Sequence, residues 1–180
     1  MAQLKIYLVP LWQKNKMTNE EILNKLKEHF ADAIISSEEQ YGTLSVTLNK
    51  EQILPVLHFL YNDAELEFKF MTDLCGIHYP DNKGAELGVV YHLHNMMKNV
   101  RLRLKCFMPI ENPTIKTATN LFSAANWMER ETFDFYGIIF EGHPNLKRIL
   151  NMDEMTVFPM RKEFPLEDPF RKDKEDRFFG

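Results

Sequence analysis

Residues 87–106 read LGVVYHLHNMMKNVRLRLKC, and apolar side chains occupy every second position on both sides of the segment 96–99. These alternating positions are Leu87, Val89, Tyr91, Leu93, Val100, Leu102, Leu104 and Cys106. An alternation with a period of two is typical of antiparallel strands that bury one face. We therefore predict a hairpin with its turn at 96–99, one face packed on helices and the other facing solvent or a partner.

Two helices are predicted upstream of this hairpin. Thr18 and Glu21 have the spacing of a capping box, which marks the start of a helix. Apolar side chains then recur at helical spacing, at Ile22, Leu23, Leu26 and Phe30. A second helix is predicted at about residues 52–61, and Pro55 makes it start late or bend because proline lacks a backbone donor.

Three more short strands complete the predicted sheet. Residues 33–35 and 43–48 flank a turn at Gly42, and residues 65–70 alternate between apolar and charged side chains. The order helix, two strands, helix, three strands predicts an α+β fold. We expect a two-layer domain with a mainly antiparallel sheet packed on helices.

A third helix is predicted over residues 117–136. One stripe of side chains is expected to pack on the body of the domain; it comprises Leu121, Ala125, Met128, Thr132 and Phe135. Trp127, Glu131 and Asp134 fall on a neighbouring stripe, and Gly137 is a natural end for the helix. Glu129, Glu131 and Asp134 could include a general acid or base pair. The alternative prediction is salt bridging, since Arg130 and Asp134 are four residues apart and can form an ion pair on the helix surface.

The character of the chain changes after residue 142. Prolines interrupt any long helix, and they stand at positions 144, 159, 165 and 169. Charges and phenylalanines are interspersed from 158 to 179, a composition that buries little against itself. We therefore divide the chain into an α+β domain at 1–142, which ends in the third helix, and an extended partner-binding tail at 143–180 that gains order on another protein.

Composition excludes several classes of function. The net charge is −4, and the chain has no run of lysines and arginines, so we predict no binding to nucleic acid and no direct docking on acidic lipid. Two cysteines, Cys75 and Cys106, favour a reducing compartment over a disulfide scaffold. The opening MAQLKIYLVPLW is too short for a signal peptide, and no apolar run is long enough for direct membrane insertion.

Two histidines on one strand face provide a competing hypothesis. His92 and His94 are two residues apart, with His78 upstream, and such a pair can begin a metal site in a metal-dependent hydrolase. The alternative is that they are polar side chains of a half-exposed strand. The sequence contains no GxGxxG, GxxxxGK[ST] or GxSxG motif, which favours a chain without catalytic activity of its own.

Basic residues form a second open question. Arg101, Arg103 and Lys105 alternate with the apolar positions of one strand. They are interpreted either as a solvated face or as a docking surface for an acidic partner.

Residues 127–150, WMERETFDFYGIIFEGHPNLKRIL, are the most specific part of the sequence. The run resembles the signature of the C subunit of respiratory complex I, the proton-translocating NADH:quinone oxidoreductase. The positions that carry this resemblance are Glu129, Arg130, Glu131, Asp134, Phe135, Tyr136, His143, Lys147, Ile149 and Leu150. A second run, PMRKEFPLEDP at 159–169, is similar to the later motif of the same family.

The resemblance implies a structural subunit of a translocase, non-catalytic by itself. It implies that the chain carries no cofactor, although the whole complex uses FMN, iron–sulfur clusters, NADH and quinone. The implied partners are the D, B and I subunits, and the implied location is peripheral, on the cytoplasmic face of the bacterial cell membrane or on the matrix face of the mitochondrial inner membrane. The alternative is the equivalent subunit of a membrane-bound hydrogenase or of a quinone dehydrogenase with ferredoxin or another donor.

The same resemblance implies where partners bind. We expect Arg130, Arg148, Arg161 and Lys162 to pair with partner or internal carboxylates. The remaining expected partner-binding residues are Glu129, Glu131 and Asp134 at the helix end and its turn, His143, and the apolar contacts Tyr136, Pro144, Phe164 and Leu166.

Overall fold

The computed structural model describes residues 17–164. Its α-helices and strands, in chain order, are α1 (Asn19–Phe30), β1 (Ile34–Gln40), β2 (Thr43–Leu48), α2 (Ile53–Asn62), β3 (Phe70–His78), β4 (Leu87–Asn95), β5 (Val100–Met108), β6 (Thr114–Lys116), α3 (Ala125–Tyr136) and β7 (Ile139–Glu141). Residues 1–16 and 165–180 lie outside this description, and with them Leu166 and the prolines at 165 and 169.

Five strands form one mixed sheet in the order β1-β2-β5-β4-β3. Neighbouring strands are antiparallel except β2 and β5, which run parallel. The predicted hairpin is confirmed, since β4 and β5 pair from Leu87–Met108 to Asn95–Val100. The predicted α+β class with helices against a mainly antiparallel sheet is confirmed as well.

One face of the sheet forms the core with the helices. The register sets Leu74, Tyr91, Leu104 and Val46 in one row across four strands. Buried side chains of α1 and α2 belong to the same cluster; they are Ile22, Leu26, Ile53, Val56, Leu57 and Leu60. Burial of this apolar face is the main free-energy source of the domain.

The predicted start of α1 is confirmed. The Glu21 N–H donates to Thr18 Oγ1 at 3.2 Å, and the Thr18 N–H donates to a Glu21 carboxylate oxygen at 2.8 Å. α2 begins at Ile53, so Pro55 lies in its first turn, where a missing N–H costs no helical hydrogen bond.

The predicted strand at 65–70 is wrong, because β3 begins only at Phe70. Leu66 and Phe68 are fully buried, but they lie in a loop. Asp63 Oδ1 accepts hydrogen bonds from the N–H groups of Glu65 and Leu66, which holds a turn here. Alternating burial therefore arises without a strand.

β1 is longer than predicted, at Ile34–Gln40 instead of 33–35. Its last six residues are exposed, and an edge strand of polar residues lacks the apolar alternation that marks the others.

α3 is shorter than predicted and begins at Ala125. Residues 117–124 form a loop with Ala118 and Phe122 buried. The short strands β6 and β7 pair in parallel, as a second sheet, and α3 connects them. Each has three residues, too few for a periodic signal.

Close contact between α3 and β3 depends on Gly76. A Cβ built on Gly76 would lie 2.4 Å from Cδ2 of the Tyr136 ring. The end of α3 therefore rests directly on the backbone of edge strand β3, which fixes the helix that carries the candidate site.

Candidate docking surface at helix α3

The carboxylate of Asp134 joins α3 to the segment that follows it. Asp134 is fully buried, and its Oδ2 accepts the N–H groups of Ile149, Leu150 and Asn151 at 2.8–3.0 Å. Its Oδ1 accepts Arg148 Nη1 at 2.7 Å and Asn151 Nδ2 at 3.0 Å. Burial alone would raise the pKa of Asp134, but the hydrogen bonds from Asn151, Leu150 and Ile149 outweigh it and hold the pKa well below its usual range.

Arg148 extends this connection further along the chain. Its Nη1 also donates to the Asp134 carbonyl oxygen, and its Nη2 donates to the carbonyl oxygens of Met155 and Val157. One guanidinium therefore fixes the end of α3 against residues 155–157.

The Phe158 ring packs between two guanidinium groups. Arg148 and Arg161 lie 5.2 and 4.7 Å from its centroid, within the range of cation–π contact. Arg161 Nε donates to the Tyr136 carbonyl oxygen at 2.8 Å. Gly137, at φ +75°, leaves the room for this packing, since a Cβ there would lie 2.5 Å from the Phe158 ring.

Arg130 and His143 fix the outer side of α3. Arg130 Nε and Nη2 donate to the carbonyl oxygens of Lys147 and Arg148, and its guanidinium lies 5.2 Å from the Trp127 ring centroid. His143 Nδ1 accepts the Asn145 N–H, so a neutral ring carries its proton on Nε2 and donates it to the Asn126 carbonyl oxygen at 3.0 Å.

Glu129 faces the opposite way, into the domain. It is fully buried, with Oε2 accepting the Thr117 hydroxyl at 2.6 Å and Oε1 accepting the Ala118 N–H at 2.7 Å. In the described range 17–164, no lysine, arginine or histidine pairs with it. Burial raises the pKa of Glu129 to about 7, and the two hydrogen bonds only partly oppose this rise.

Glu131, Tyr136 and Met160 border a shallow cleft between α3 and β3. The cleft has a volume of about 270 Å³, and its β3 side is residues 73–76. Glu131 is exposed there.

The other predicted positions are spread along the segment after α3. Pro144, Lys162 and Phe164 are exposed, and the Lys162 N–H donates to His78 Nδ1 at 2.9 Å. Leu166 lies outside the described residues. Eleven of the twelve predicted positions thus lie on α3 or on residues 143–164, which fold back on α3 and β3.

The predicted ion pair between Arg130 and Asp134 is wrong. Asp134 pairs with Arg148, fourteen residues away, because the chain reverses after Gly137 and returns beneath the helix end. Arg130 binds carbonyl oxygens instead. Glu129 anchors the loop before α3, not the helix end as predicted.

The roles of several residues in the site were not predicted from the sequence. Phe158, Asn151, Thr117, His78 and Gly76 act through contacts that only the fold creates. Whether the predicted positions also touch a partner, and whether residue 142 separates two units, stay predictions.

The histidine pair does not assemble a metal site in the described part of the chain. His92 Nε2 accepts Arg103 Nε at 2.9 Å, and His94 contacts the Asn99 side chain. Residues 17–164 contain no group of three or more histidine, cysteine, aspartate or glutamate side chains that could hold a metal ion. No helix in the same range has the length and apolar character needed to cross a membrane.

A family model described as the 30 kDa subunit of respiratory-chain NADH dehydrogenase matches residues 46–170. The chain belongs to this family. The match includes β3, β4, β5, α3 and the segment packed on α3, so it includes the whole candidate site.

Curated relatives agree with the family. The NADH-quinone oxidoreductase C subunit of Roseiflexus sp. (strain RS-1) is 41% identical over 150 residues, which are 83% of this chain and 86% of that protein. The corresponding C subunit of Citrifermentans bemidjiense is 39% identical over 159 residues, 88% of this chain and 97% of that protein.

Two solved structures share the fold. A trypsin-resistant fragment of Nqo5 is 31% identical with a TM-score of 0.59, covering 69% of this chain and 98% of the fragment. A chain of an archaeal membrane-bound sulfane sulfur reductase has a TM-score of 0.69, covering 86% of this chain and 96% of its own, but at 24% identity it shows the fold alone.

Replacing Asp134 with asparagine tests the connection to residues 149–151. An amide cannot accept all five hydrogen bonds or balance Arg148, so we expect the free energy of unfolding to fall by about 3–5 kcal/mol at pH 7. Because the pKa of Asp134 is depressed in the folded chain, its contribution is present above about pH 4 and is lost at lower pH. The difference in the free energy of unfolding between Asp134→Asn and wild type should narrow by roughly 1.4 kcal/mol per pH unit below about pH 4.

Urea denaturation of the full chain from pH 7 to pH 3 measures this. Asp153→Asn, at an exposed position, is the matched control and should change the free energy of unfolding little. Equal stability of Asp134→Asn and wild type at pH 7 would contradict the assignment.

Glu129 gives a pH dependence of the opposite sign. Its pKa is raised in the folded chain, so the folded state binds the proton more tightly than the unfolded state. The free energy of unfolding should therefore fall, by at most roughly 1.4 kcal/mol per pH unit, as pH rises from about 4.5 to 7. Glu129→Gln removes this slope, while Glu131→Gln on the exposed side of α3 keeps it. Identical pH profiles for Glu129→Gln and wild type, by urea denaturation, would refute this.

Proposed function

We propose that this chain is a cofactor-free structural subunit of the peripheral arm of a respiratory NADH:quinone oxidoreductase, complex I. In this proposal the enzyme is the whole translocase, and the chain contributes assembly and rigidity. Its partners are the D subunit, which holds the quinone site, and the iron–sulfur B and I subunits. The two cysteines of the chain support the absence of a cluster, since a cluster needs about four thiolates.

One observation carries the docking role: large apolar side chains are concentrated on the exposed surface around α3. Residues 127–164 are 38 of the 148 described residues, yet they hold seven of the thirteen exposed large apolar side chains in that range. We call these seven the α3 surface; they are Trp127, Ile139, Leu150, Met152, Val157, Met160 and Phe164. Exposed apolar groups in this number favour a protein contact over a solvated surface.

The backbone under the α3 surface is already fixed. Asp134 and Arg148 bind each other inside the chain, so these charges need no partner to be satisfied. Trp127 is 61% exposed and its ring is held by Arg130. A rigid, exposed aromatic side chain is the kind of anchor that dominates protein interfaces, because little conformational freedom is lost when it binds.

The location follows from the partners in this proposal. The chain would lie peripherally on the cytoplasmic face of a bacterial cell membrane, or on the matrix face of the mitochondrial inner membrane, held there by other subunits. The alternative is the equivalent subunit of a related membrane complex. The identities near 40% to C subunits of NADH-quinone oxidoreductases favour complex I.

The test is Trp127→Ala in the native host, with the chain affinity-tagged. Loss of an anchor worth about 2 kcal/mol corresponds to roughly thirtyfold weaker binding. We expect less assembled complex in mild detergent, measured by native electrophoresis and by mass spectrometry of co-purified subunits. NADH:quinone turnover per assembled complex should be unchanged. Met97→Ala, at an exposed apolar position in the β4–β5 turn, is the control and should assemble normally.

Two outcomes would contradict the proposal. Normal assembly of the Trp127→Ala complex with reduced turnover would indicate a direct role in the reaction. Purification of the wild-type chain without any subunit of such a complex would exclude the assembly role.

A further inference from the structure

The sheet has a second face, opposite the core. The register places Glu38, Ser45, Arg103, His92 and Asp73 in one row that crosses all five strands. We call it the cross-sheet row. The buried side chains of α1 and α2 all belong to the core cluster on the other face.

Arg103, at the centre of the row, is held in place by uncharged groups. Its Nε donates to His92 Nε2 at 2.9 Å, and its Nη1 lies 3.3 Å from Ser45 Oγ. His92 is kept neutral, since burial and the neighbouring Arg103 lower its pKa, although Asp73 opposes this. The guanidinium is therefore pre-positioned, and the N–H groups of Nη2, which no acceptor among residues 17–164 binds, are available to an anion.

Of the three positively charged side chains on this face of β5, only Lys105 forms an ion pair among the described residues. Lys105 binds Glu38 at 2.7 Å, which neutralises both. Arg101 is exposed, and neither Arg101 nor Arg103 has a carboxylate within 4.0 Å among residues 17–164. Two guanidinium groups without a direct ion pair, on neighbouring positions of one face, form a local basic patch on a protein of net charge −4.

Apolar and shielded groups surround this patch. Ser45, Val90 and His94 are only 2%, 6% and 8% exposed, yet Val90 is absent from the core cluster. Phe70, paired with His94 at the edge, is half exposed. This second face therefore combines shielded side chains with arginines, and arginine is one of the residue types enriched at protein interfaces.

We propose that this face is a second docking surface, which binds an acidic segment of another subunit through Arg101 and Arg103. The proposal rests on the proposed function only in requiring a larger assembly. A fixed arginine fork matches a carboxylate in two-point geometry, and its desolvated surroundings strengthen that pairing. Asp73, at one end of the row, disfavours a long polyanion such as nucleic acid and favours a short acidic peptide centred on the two arginines.

The experiment uses the complex assembled in the native host. A photo-crosslinking amino acid replaces Ser36, which is exposed on β1 and lies opposite Thr47 on this face. A second version replaces Glu28, on the exposed side of α1, as the control position. Crosslinked peptides are identified by mass spectrometry of the purified complex.

The expected result is a crosslink from position 36 to an aspartate- or glutamate-rich segment of a different subunit. Arg101→Glu should reduce its yield about tenfold, because like charges then face each other, and Arg101→Gln should reduce it less. Lys83→Glu, which reverses an exposed charge in a loop, should leave it unchanged. Arg101 is exposed, so these variants leave the core intact.

Three results would overturn the inference. They are a yield at position 36 no higher than at position 28, a crosslink to nucleic acid or to a second copy of this chain, and a yield unaffected by Arg101→Glu. Each can occur while the complex still assembles, so each separates failure of this inference from failure of the proposed function.

Discussion

One buried carboxylate organises the surface on which the proposed role of this protein depends. Asp134 accepts five hydrogen bonds, three of them from consecutive backbone N–H groups. Successive N–H groups of this kind form an anion-binding concavity, and here the anion belongs to the preceding helix. The charge can stay buried because both carboxylate oxygens accept hydrogen bonds. These bonds fix the position of the segment after α3.

The position of residues 155–158 depends on the same carboxylate. Arg148 is placed by Asp134 and in turn holds residues 155–157, while Phe158 packs between Arg148 and Arg161 above Gly137. The α3 surface is thus presented by backbone that is rigid before a partner arrives. Such pre-organisation lowers the entropic cost of association, which suits the proposed role in assembly.

Periodicity predicted the elements of this fold where strands have one buried and one exposed face. It predicted β4, β5 and the turn between them correctly, and it failed where a loop produced the same alternation, at residues 65–70. The polar edge strand β1 was predicted too short, since neither of its faces is apolar. The two-stranded sheet of β6 and β7 has no signal because its strands are three residues long.

The candidate site was predictable in its residues but not in its contacts. The charged residues around α3 were identified from the sequence, and Asp134 was expected to pair four residues away. Its true partner is fourteen residues away, across a reversal that Gly137 permits, and no local rule gives such a pair. The fold also reveals that Asp134 and Arg148 compensate each other, while Arg130 and Arg161 donate to carbonyl oxygens.

Amide hydrogen exchange of the full chain tests the central claim most directly. The N–H groups of Ile149, Leu150 and Asn151 lie in a segment without helix or strand, yet they should exchange at least about a hundredfold more slowly than in an unstructured peptide. Asp134→Asn should abolish that protection and leave the amides of β4 and β5 protected. Exchange of these three amides at unstructured rates in the wild-type chain would contradict the account.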